Sequence, residues 1–331
     1  MRRWLAVCRF AVAVALLAYL GQSGVIRWQA LSGLAAAWPL SLTAVVVYLM
    51  DSCLTSWRFC LLVRPAGFDL SLWDSNRLSL IGLFFSTFLP GAASGDVVRI
   101  YYAASDHQGR RTELATIVLF DRIIGLITML IWPLMVAPFF LDLAAVPIIQ
   151  GLLLAALGLA IGLTVALFAG SSRWIREHPL AQWCFSRIPG GRIMERVLAT
   201  LTVYRKHPTI LAGATILSLF THTLAAGVML LIAAALDPTG FSWRMTILIP
   251  LGFLANQIPL TPGGLGVGEA ALGGLLHVAG LASGAEIMLG WRMCLLLVSV
   301  IGLFFYLHGR RSFVTSRPQP VAAHGGTAND Y

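Results

Sequence analysis

Two segments of this chain place a carboxylate after a proline-glycine break in an otherwise apolar stretch. In the first segment, Pro90 is followed by Gly95, Asp96 and Arg99. The second segment contains Pro262, Gly263, Gly264, Gly266 and Glu269. Backbone N–H groups freed at such a break bind anions, and a buried carboxylate neutralises an arginine or carries a proton. The two segments therefore predict sites for phosphate contact, charge balance or proton transfer.

The first break predicts an anion site in which opposite charges lie close together. Gly95 allows close backbone approach, and either Ser94 or Asp96 caps the helix that follows. Arg99 comes three residues after Asp96 on the same helical face, so the two side chains form an ion pair or Arg99 contacts a lipid phosphate. A helix cap with a surface arginine at the cytoplasmic interface explains the same pattern equally well.

The second break resembles a phosphate-cradling loop only superficially. No Lys-Ser or Lys-Thr pair follows its glycines and no strand precedes them, which argues against a nucleotide-binding loop. Glycines at this spacing permit a tight turn and close helix contact within a membrane. Glu269 lies near the start of the next helix, where it is a capping group, a proton carrier or an ion-pair partner of Arg292.

Further ionisable residues lie inside or beside apolar stretches and need partners there. Asp121 and Arg122 are adjacent and cannot share one helix face, so each requires its own partner. A charge at the centre of a membrane helix costs about 2.5 to 3.5 kcal/mol, which favours interior positions for them and for Asp51, His222 and His277. The histidines are either proton relays or satisfied interior residues.

These patterns define a set of candidate substrate-binding residues, in which Arg99, Arg122 and Arg292 are the phosphate contacts. The full set is Gly95, Asp96, Arg99, Asp121, Arg122, Pro262, Gly263, Gly264, Gly266, Glu269 and Arg292. No catalytic group, metal-binding cluster or cofactor motif is predicted. Five cysteines, odd in number and without CxxC spacing, indicate neither a disulfide framework nor a zinc site.

The composition predicts which elements must hold these residues. The chain has 331 residues, of which 58% are hydrophobic and only 11% charged, and its mean hydropathy is +0.82. An integral membrane protein is predicted, since a soluble domain of this length would be far less apolar. The net charge of +9 favours contact with the anionic inner leaflet rather than with nucleic acid.

Six apolar runs are long enough to cross a bilayer as helices. They cover residues 4–21, 35–63, 114–141, 146–170, 210–236 and 287–308. Two shorter runs, 78–89 and 245–260, lead into the two breaks, which gives about eight membrane segments in all. We therefore expect an all-α polytopic membrane fold.

The placement of basic residues predicts how the two broken segments are oriented. Arginines and lysines cluster at the N-terminus and in residues 58–77, 99–111, 173–206 and 310–317. Almost none lies in residues 22–34, 142–147 and 237–243. All basic connections face the cytoplasm only if each broken segment enters and leaves on the same side as a re-entrant hairpin. Both termini are then cytoplasmic, and the halves have mirror topologies, as in inverted-repeat transporters whose hairpin tips meet near the midplane.

A single transmembrane domain over residues 1–311 is predicted. Its halves cover about 35–141 and 208–308, and a basic cytoplasmic connector covers about 171–207. Residues 312–331 are rich in proline, glycine and alanine, which predicts a disordered cytoplasmic tail.

The combination of motifs resembles one known family. The motifs are Ser56-Trp57-Arg58, Phe84-Phe85, Leu89-Pro90, Gly95-Asp96-Val97-Val98-Arg99, Asp121-Arg122-Ile123-Ile124-Gly125-Leu126, Pro262-Gly263-Gly264-Leu265-Gly266-Val267-Gly268-Glu269 and Arg292. Across nearly the whole chain they resemble the lysylphosphatidylglycerol synthase transmembrane region, a family of flippase-like membrane domains. Family members usually have Gly-Gly-Asp at the first break, where this chain has Ser94-Gly95-Asp96.

The resemblance implies a lipid-handling protein of the bacterial cytoplasmic (inner) membrane. In the bifunctional synthases this region is held to translocate aminoacylated phosphatidylglycerol, and a large acyltransferase-like domain follows it. We expect only the membrane part here, so the resemblance implies a lipid translocase rather than an aminoacyltransferase. The expected partners are membrane lipids, anionic ones first, and lipid-synthesis enzymes encoded separately, with no nucleic acid.

Two other classes of function are compatible with the sequence. A membrane enzyme or accessory subunit of glycolipid or polyprenyl-lipid synthesis would use Asp96 or Glu269 as a general base. Such an enzyme needs a water-accessible nucleotide or metal site, and the sequence contains no Asp-x-Asp motif. A scaffold without transport activity would tolerate the removal of charge at Glu269 and Arg292.

Overall fold

A computed structural model of the chain consists almost entirely of α-helices. It describes residues 22, 32–88, 94–103, 110–170, 172, 178, 179, 183, 187, 202–257, 261, 264–308 and 315–316. The helices are α1 (Ser32–Ala36), α2 (Trp38–Val63), α3 (Leu72–Phe88), α4 (Ser94–Ala103), α5 (Arg111–Val136), α6 (Leu141–Ala144), α7 (Pro147–Gly170), α8 (Pro208–Leu236), α9 (Met245–Ala255), α10 (Val267–Val278) and α11 (Gly284–His308). Short strands β1 (Phe68–Asp69) and β2 (Thr315–Ser316) pair antiparallel.

Five helices in the described part of the chain are long and apolar enough to span a membrane. With short 3-10 turns added to α2 and α5, they cover Trp38–Ala66, Arg111–Phe139, Pro147–Ala169, Pro208–Leu236 and Gly284–His308. They correspond to five of the six spans predicted from the sequence, and the run at 4–21 lies outside the described residues. The structure therefore confirms an all-α polytopic membrane protein.

Helix α7 shows why such segments are helical. Its sequence is continuously apolar, and a helix satisfies every backbone group within the segment, as hydrocarbon requires. Leu154, Leu159 and Ile161 are exposed along it, which matches a helix in contact with lipid tails. Among the described helices, α7 contributes no charged side chain.

Helices α3 and α4 form a hairpin that leaves and returns to the same end of the molecule. Arg110, which follows α4, donates a hydrogen bond to the carbonyl of Ala66, which precedes α3. The Arg110 guanidinium also lies 4.0 Å from the centre of the Phe68 ring. The two arms touch at glycines, since a methyl group on Gly95 would lie 2.2 Å from the Gly82 carbonyl oxygen. Only glycine allows this approach.

Helices α9 and α10 form a second antiparallel hairpin. Leu272 of α10 packs on Gly252 of α9, where a methyl group would lie 2.8 Å from the Leu272 side chain. Nearer the tip, Gly264 and Gly268 lie against Asn256. The parts of the two tips outside the described residues are 89–93, 258–260, Pro262 and Gly263. The described residues of both hairpins are therefore mainly those of their helical arms.

The last helix, α11, contacts both hairpins. Gly302 packs directly on the backbone of α3, since a methyl group there would lie 2.0 Å from the Leu80 carbonyl oxygen. Arg292, on the same helix, reaches Glu269 at the start of α10. Buried apolar side chains form one large cluster around α8 to α11 and another that joins the C-terminal half of α2 to α3, α4 and α5. The hairpins are therefore packed into the bundle on several sides.

Most of the predicted connector, 171–207, and of the predicted tail, 312–331, lies outside the described residues. Within the connector, Tyr204 is buried against the bundle, and its hydroxyl donates to the Leu62 carbonyl at 2.6 Å. Burial raises the pKa of the Tyr204 phenol, which keeps it a hydrogen-bond donor. Within the tail, the two residues of β2 pair with β1.

Candidate functional site

An internal cavity of about 530 Å³ lies between α2, α4, α5, α8, α9 and α11. A smaller cavity of about 180 Å³ adjoins it and is lined further by α3. The two have five lining residues in common, namely Tyr48, Asp51, Thr55, Arg99 and Arg122. Together they form one space next to the first hairpin, the central cavity.

The charges that line the central cavity are balanced in number. Three helices each contribute one arginine and one aspartate: α2 carries Asp51 and Arg58, α4 carries Asp96 and Arg99, and α5 carries Asp121 and Arg122. Ionisable side chains within a membrane bundle face the interior and pair with each other, because hydrocarbon does not solvate them. These six groups satisfy one another's hydrogen-bonding needs only in part.

Arg58 and Asp121 form a buried ion pair that joins α2 to α5. The Arg58 Nε donates to Asp121 Oδ1 at 2.7 Å, and its Nη1 donates to the Ser218 hydroxyl of α8 at 2.7 Å. Gly125, one turn after Asp121, lies beside the guanidinium, at a distance where even a methyl group would make only an ordinary contact with Nη1. The pair therefore connects three spanning helices.

Asp96 lies between two arginines at the start of α4. Its Oδ2 is 2.8 Å from Arg122 Nε, and its Oδ1 is 3.7 Å from Arg99 Nη1. The Arg122 side chain is 50% exposed, whereas that of Asp96 is largely buried. Asp121 and Arg122 thus have separate partners, as their adjacent positions require.

Arg99 is the least satisfied of the buried cations in the central cavity. The residue is only 8% exposed, and its Nε and Nη2 atoms have no hydrogen-bond partner among the described residues. Its guanidinium lies 4.4 Å from the centre of the Phe59 ring, a cation–π contact that supplies no hydrogen-bond acceptor to its buried N–H edge. A buried donor without a partner is unfavourable, and an anion placed against this edge removes the penalty.

Asp51 offers the complementary group. Its Oδ1 is buried and has no hydrogen-bond partner within the part of the chain that the structure describes. It lines both parts of the central cavity together with Arg99. An anion with an attached hydroxyl or amine would satisfy both side chains at once, because the carboxylate accepts hydrogen bonds and the guanidinium donates them.

A network of small polar side chains extends from Arg58 towards α5 and α8. The Ser218 and Thr128 hydroxyls are 2.6 Å apart, and Thr128 Oγ1 is 3.1 Å from His222 Nε2. The same imidazole nitrogen is 3.0 Å from the Gly125 carbonyl oxygen. His222 also lines the central cavity, so the network joins the buried ion pair to the cavity wall.

The second hairpin holds a different and closed arrangement. Glu269 is 0% exposed, and its Oε1 is 2.5 Å from Arg292 Nε of α11. Its Oε2 accepts the N–H of Gly266 at 2.7 Å, which caps the start of α10. Arg292 Nη2 donates in addition to Asn256 Oδ1 at 2.9 Å. Two of the three candidate roles that the sequence suggests for this carboxylate, helix cap and ion-pair partner, are present together.

The glycines of this hairpin are required by its backbone. Gly264 has φ +69° and Gly266 has φ +81°, values in the left-handed region that residues with side chains rarely adopt. A methyl group on Gly264 would also lie 2.1 Å from Asn256 Oδ1, the atom that accepts from Arg292. The loop therefore places Asn256 and Glu269 on the same guanidinium.

The eleven predicted site residues fall into three groups. Those that line the central cavity are Gly95, Asp96, Arg99, Asp121 and Arg122. Those in the closed cluster are Gly264, Gly266, Glu269 and Arg292, and none of these four lines the cavity. Pro262 and Gly263 lie outside the described residues. Hairpin α9–α10 reaches the cavity instead through Pro250, Phe253 and Gln257.

The lining also includes polar and ionisable residues outside the predicted set, among them Tyr48, Asp51, Arg58 and His222. A signal for two of them exists, because Asp51 and Arg58 are seven residues apart within one apolar run and therefore share a helix face. His277, the other histidine considered, is exposed on α10 and does not line the cavity. For Tyr48 the sequence carries no distinguishing pattern, whereas His222 is marked only as an ionisable residue within an apolar run.

Comparison with known proteins identifies the family to which the chain belongs. No curated protein matches the chain significantly. The family model described as the lysylphosphatidylglycerol synthase TM region matches residues 6–302, which include both hairpins and all five described spans except the last turns of α11. The chain therefore belongs to the family of the lysylphosphatidylglycerol synthase TM region.

Proposed function

We propose that this protein is a lipid translocase that moves an anionic phospholipid or lipid-linked headgroup across the bacterial cytoplasmic membrane. The family and the five apolar spans support lipid handling in a membrane. The central cavity supports translocation, because a space lined by charged side chains within the bundle gives a headgroup partners that hydrocarbon does not. The headgroup occupies this cavity while the acyl chains stay in the bilayer.

The main support for this proposal is the Arg99 guanidinium, two of whose buried nitrogen atoms have no hydrogen-bond partner among the described residues. A guanidinium that faces a cavity of this size with two unpartnered nitrogen atoms in the described structure is arranged to receive an anion. A hydrogen bond between charged groups contributes about 1.5 to 3 kcal/mol, so one phosphate contact here is a large part of a headgroup's binding free energy. Phosphate is the anion that all anionic phospholipids supply.

In this mechanism some of the other charged residues contact the headgroup and the rest hold the helices in place. Arg122 is half-exposed and meets the phosphate first, and Asp96, which bridges Arg122 and Arg99, exchanges these partners as the headgroup arrives. Asp51 accepts a hydrogen bond from a hydroxyl or amine beyond the phosphate. Arg58 and Asp121 keep their mutual contact and hold α2 and α5 around the cavity. Glu269 and Arg292 hold hairpin α9–α10 against α11.

The proposal includes the predicted topology. Both termini lie in the cytoplasm, six spans cross the membrane, and the two hairpins enter from opposite faces as parts of an inverted repeat. Membrane lipids are the partners, and separately encoded enzymes of lipid synthesis supply the cargo. The protein itself acts as a transporter rather than an enzyme, without metal, cofactor or nucleic acid.

Cysteine labelling tests this topology. Arg111 at the start of α5 and Ala282 before α11 are both exposed, so a cysteine is accommodated at either position. We expect Arg111→Cys to react with an impermeant maleimide only after the cells are opened, and Ala282→Cys to react in intact cells. Labelling of the parent chain, which has five cysteines, is the background. The reverse pattern at either position contradicts the re-entrant hairpin on that side.

Reconstituted protein tests the function. Proteoliposomes would contain phosphatidylglycerol with a fluorescent acyl chain, and dithionite quenching would report how fast the probe crosses the bilayer. We expect the protein to accelerate crossing of this lipid more than that of fluorescent phosphatidylcholine. Arg99→Ala should remove the acceleration, whereas Arg111→Ala, at an exposed arginine that does not line the cavity, should retain it.

Two outcomes would contradict the proposal. The first is folded protein that accelerates no anionic lipid tested, including lipids extracted from the native membrane. The second is Arg99→Ala protein that is folded and fully active. Mass spectrometry of the same vesicles separates the competing class, because a membrane enzyme changes the mass of a lipid-linked substrate and a translocase does not.

A further inference from the structure

A second, apolar pocket of about 470 Å³ lies between α5, α7 and α8, apart from the central cavity. Its wall on α5 extends from Phe120 to Ile131, a rise of about 16 Å along the helix axis. Leu167 and Phe168 of α7 and Leu211 of α8 form the facing walls. The pocket is thus elongated along spanning helices and has the size of a small-molecule site.

The wall of this pocket offers almost no free hydrogen-bonding group. Three threonines line it, but each hydroxyl donates to a backbone carbonyl one turn earlier in its own helix: Thr128 to Ile124, Thr164 to Ala160 and Thr215 to Leu211. A ligand that needed polar partners would find them already engaged. A hydrocarbon chain can be buried against such a wall without cost, because it forms no hydrogen bonds that would be lost.

One rim of the pocket is basic. Arg205 lines it, and Lys206 and His207 follow directly as exposed residues before Pro208, the first residue of α8. Basic side chains at the end of a spanning helix attract anionic lipid headgroups at the membrane surface. The apolar wall and the basic rim together match a molecule that has an apolar chain within the pocket and a negative charge at the rim.

We propose that this pocket binds an anionic phospholipid, with one acyl chain between α5, α7 and α8 and its phosphate at Arg205 and Lys206. The site is separate from the translocation site proposed above and does not depend on it. It also touches the network of the central cavity, since Thr128 lines the pocket and contacts Ser218 and His222. An occupied pocket therefore supports the packing of α5 on α8.

Photolabelling tests the site in the full chain. The protein would be placed in nanodiscs of phosphatidylcholine that contain phosphatidylglycerol with a diazirine near the end of one acyl chain. After illumination, peptide mass spectrometry would locate the adducts. We expect them on the pocket faces of α5, α7 and α8, at residues such as Leu167 and Leu211, and we expect diazirine-labelled phosphatidylcholine to give far fewer.

Variants separate the pocket from general lipid contact. Leu167→Trp fills the pocket and should remove the adducts, and Thr215→Ile provides a smaller change should the tryptophan impair folding. Arg205→Ala with Lys206→Ala should lower labelling by about fivefold for each charge removed, whereas Arg111→Ala at the same end of the molecule should not. Arg99→Ala should also leave labelling intact, which distinguishes failure here from failure of the translocase proposal.

Three results would overturn the site. Equal labelling by the two lipids would show that charge does not matter. Adducts confined to the exposed face of α7, at Leu154 and Ile161, would show ordinary contact with surrounding lipid. Unchanged labelling in folded Leu167→Trp and Thr215→Ile proteins would show that the chain lies elsewhere.

Discussion

The two hairpins share a pattern in sequence and differ in how their charges are satisfied. In α3–α4, Asp96 bridges two arginines, and Arg99 faces a cavity with two nitrogen atoms that have no hydrogen-bond partner in the described structure. In α9–α10, Glu269 is fully buried and both of its oxygens are engaged, by Arg292 and by Gly266. In the first hairpin the motif therefore leaves hydrogen-bond donors available for a ligand. In the second hairpin it holds the loop backbone and α11 together.

The largest expected effect is on the closed hairpin. Arg292→Ala leaves the buried Glu269 carboxylate without its cation and should lower the free energy of unfolding by about 3 to 5 kcal/mol. Chemical unfolding in detergent, followed by circular dichroism, measures this change. Replacing both residues by leucine should cost much less, because no charge is left unpaired. A loss below about 1 kcal/mol for Arg292→Ala would place the second hairpin in the same class as the first.

A sharper contrast is expected at Arg99. Its removal leaves Asp96 paired with Arg122, so the free energy of unfolding should change by less than about 1 kcal/mol. The rate of lipid crossing should fall by about tenfold to a hundredfold, which corresponds to one lost contact between charged groups. Arg58→Ala is the matched control, because it also removes one buried arginine. It leaves the buried Asp121 carboxylate without its cation and should destabilise the protein strongly. Similar stability losses in both variants would show that Arg99 is structural.

An intermediate effect is expected where the arms of the first hairpin touch. A methyl group on Gly95 would collide with the Gly82 carbonyl, so Gly95→Ala should destabilise the protein by about 1 to 3 kcal/mol and distort the position of Asp96. Gly274→Ala on α10 is the control, because that position is open and alanine favours helix. Melting temperatures of the two variants would separate a steric effect from a general one. Equal temperatures would mean that the arms are free to part.

The smallest effect is expected at the outer end of the second hairpin. Arg244, just before α9, pairs with Asp142 of α6, and both side chains are substantially exposed. Arg244→Ala should therefore lower the free energy of unfolding by only about 0.2 to 1 kcal/mol, and less at high salt. Unfolding at low and high ionic strength checks this. A larger loss would show that the hairpin is held from its outer end as well as from Arg292.

Much of the fold was predictable from residue types alone. Continuous apolar runs predict the five described spans because a bilayer requires helices of about 20 residues. The need of Asp121 and Arg122 for separate partners follows from their adjacency. The identity of those partners does not, since Arg58 is 63 residues away from Asp121 and reaches it only through the packing of α2 on α5.

The candidate site was predictable to a smaller extent. The sequence indicates that Glu269 and Arg292 belong together, because both are charges within apolar surroundings. It does not indicate that Asn256 completes their cluster, nor that this cluster stands apart from the one around Asp96. Such groupings depend on which helix faces meet. Three-dimensional packing decides them, and spacing along the chain does not.

Helix α11 has a mechanical consequence for any movement of this protein. Arg292 holds the second hairpin and Gly302 rests on the backbone of the first, and the two residues are separated by about 15 Å of continuous helix. A tilt of this rod displaces both hairpins together, in opposite directions if the pivot lies between the two contacts. The closed cluster of the second hairpin and the α3 arm of the first are thereby attached to one rigid helix.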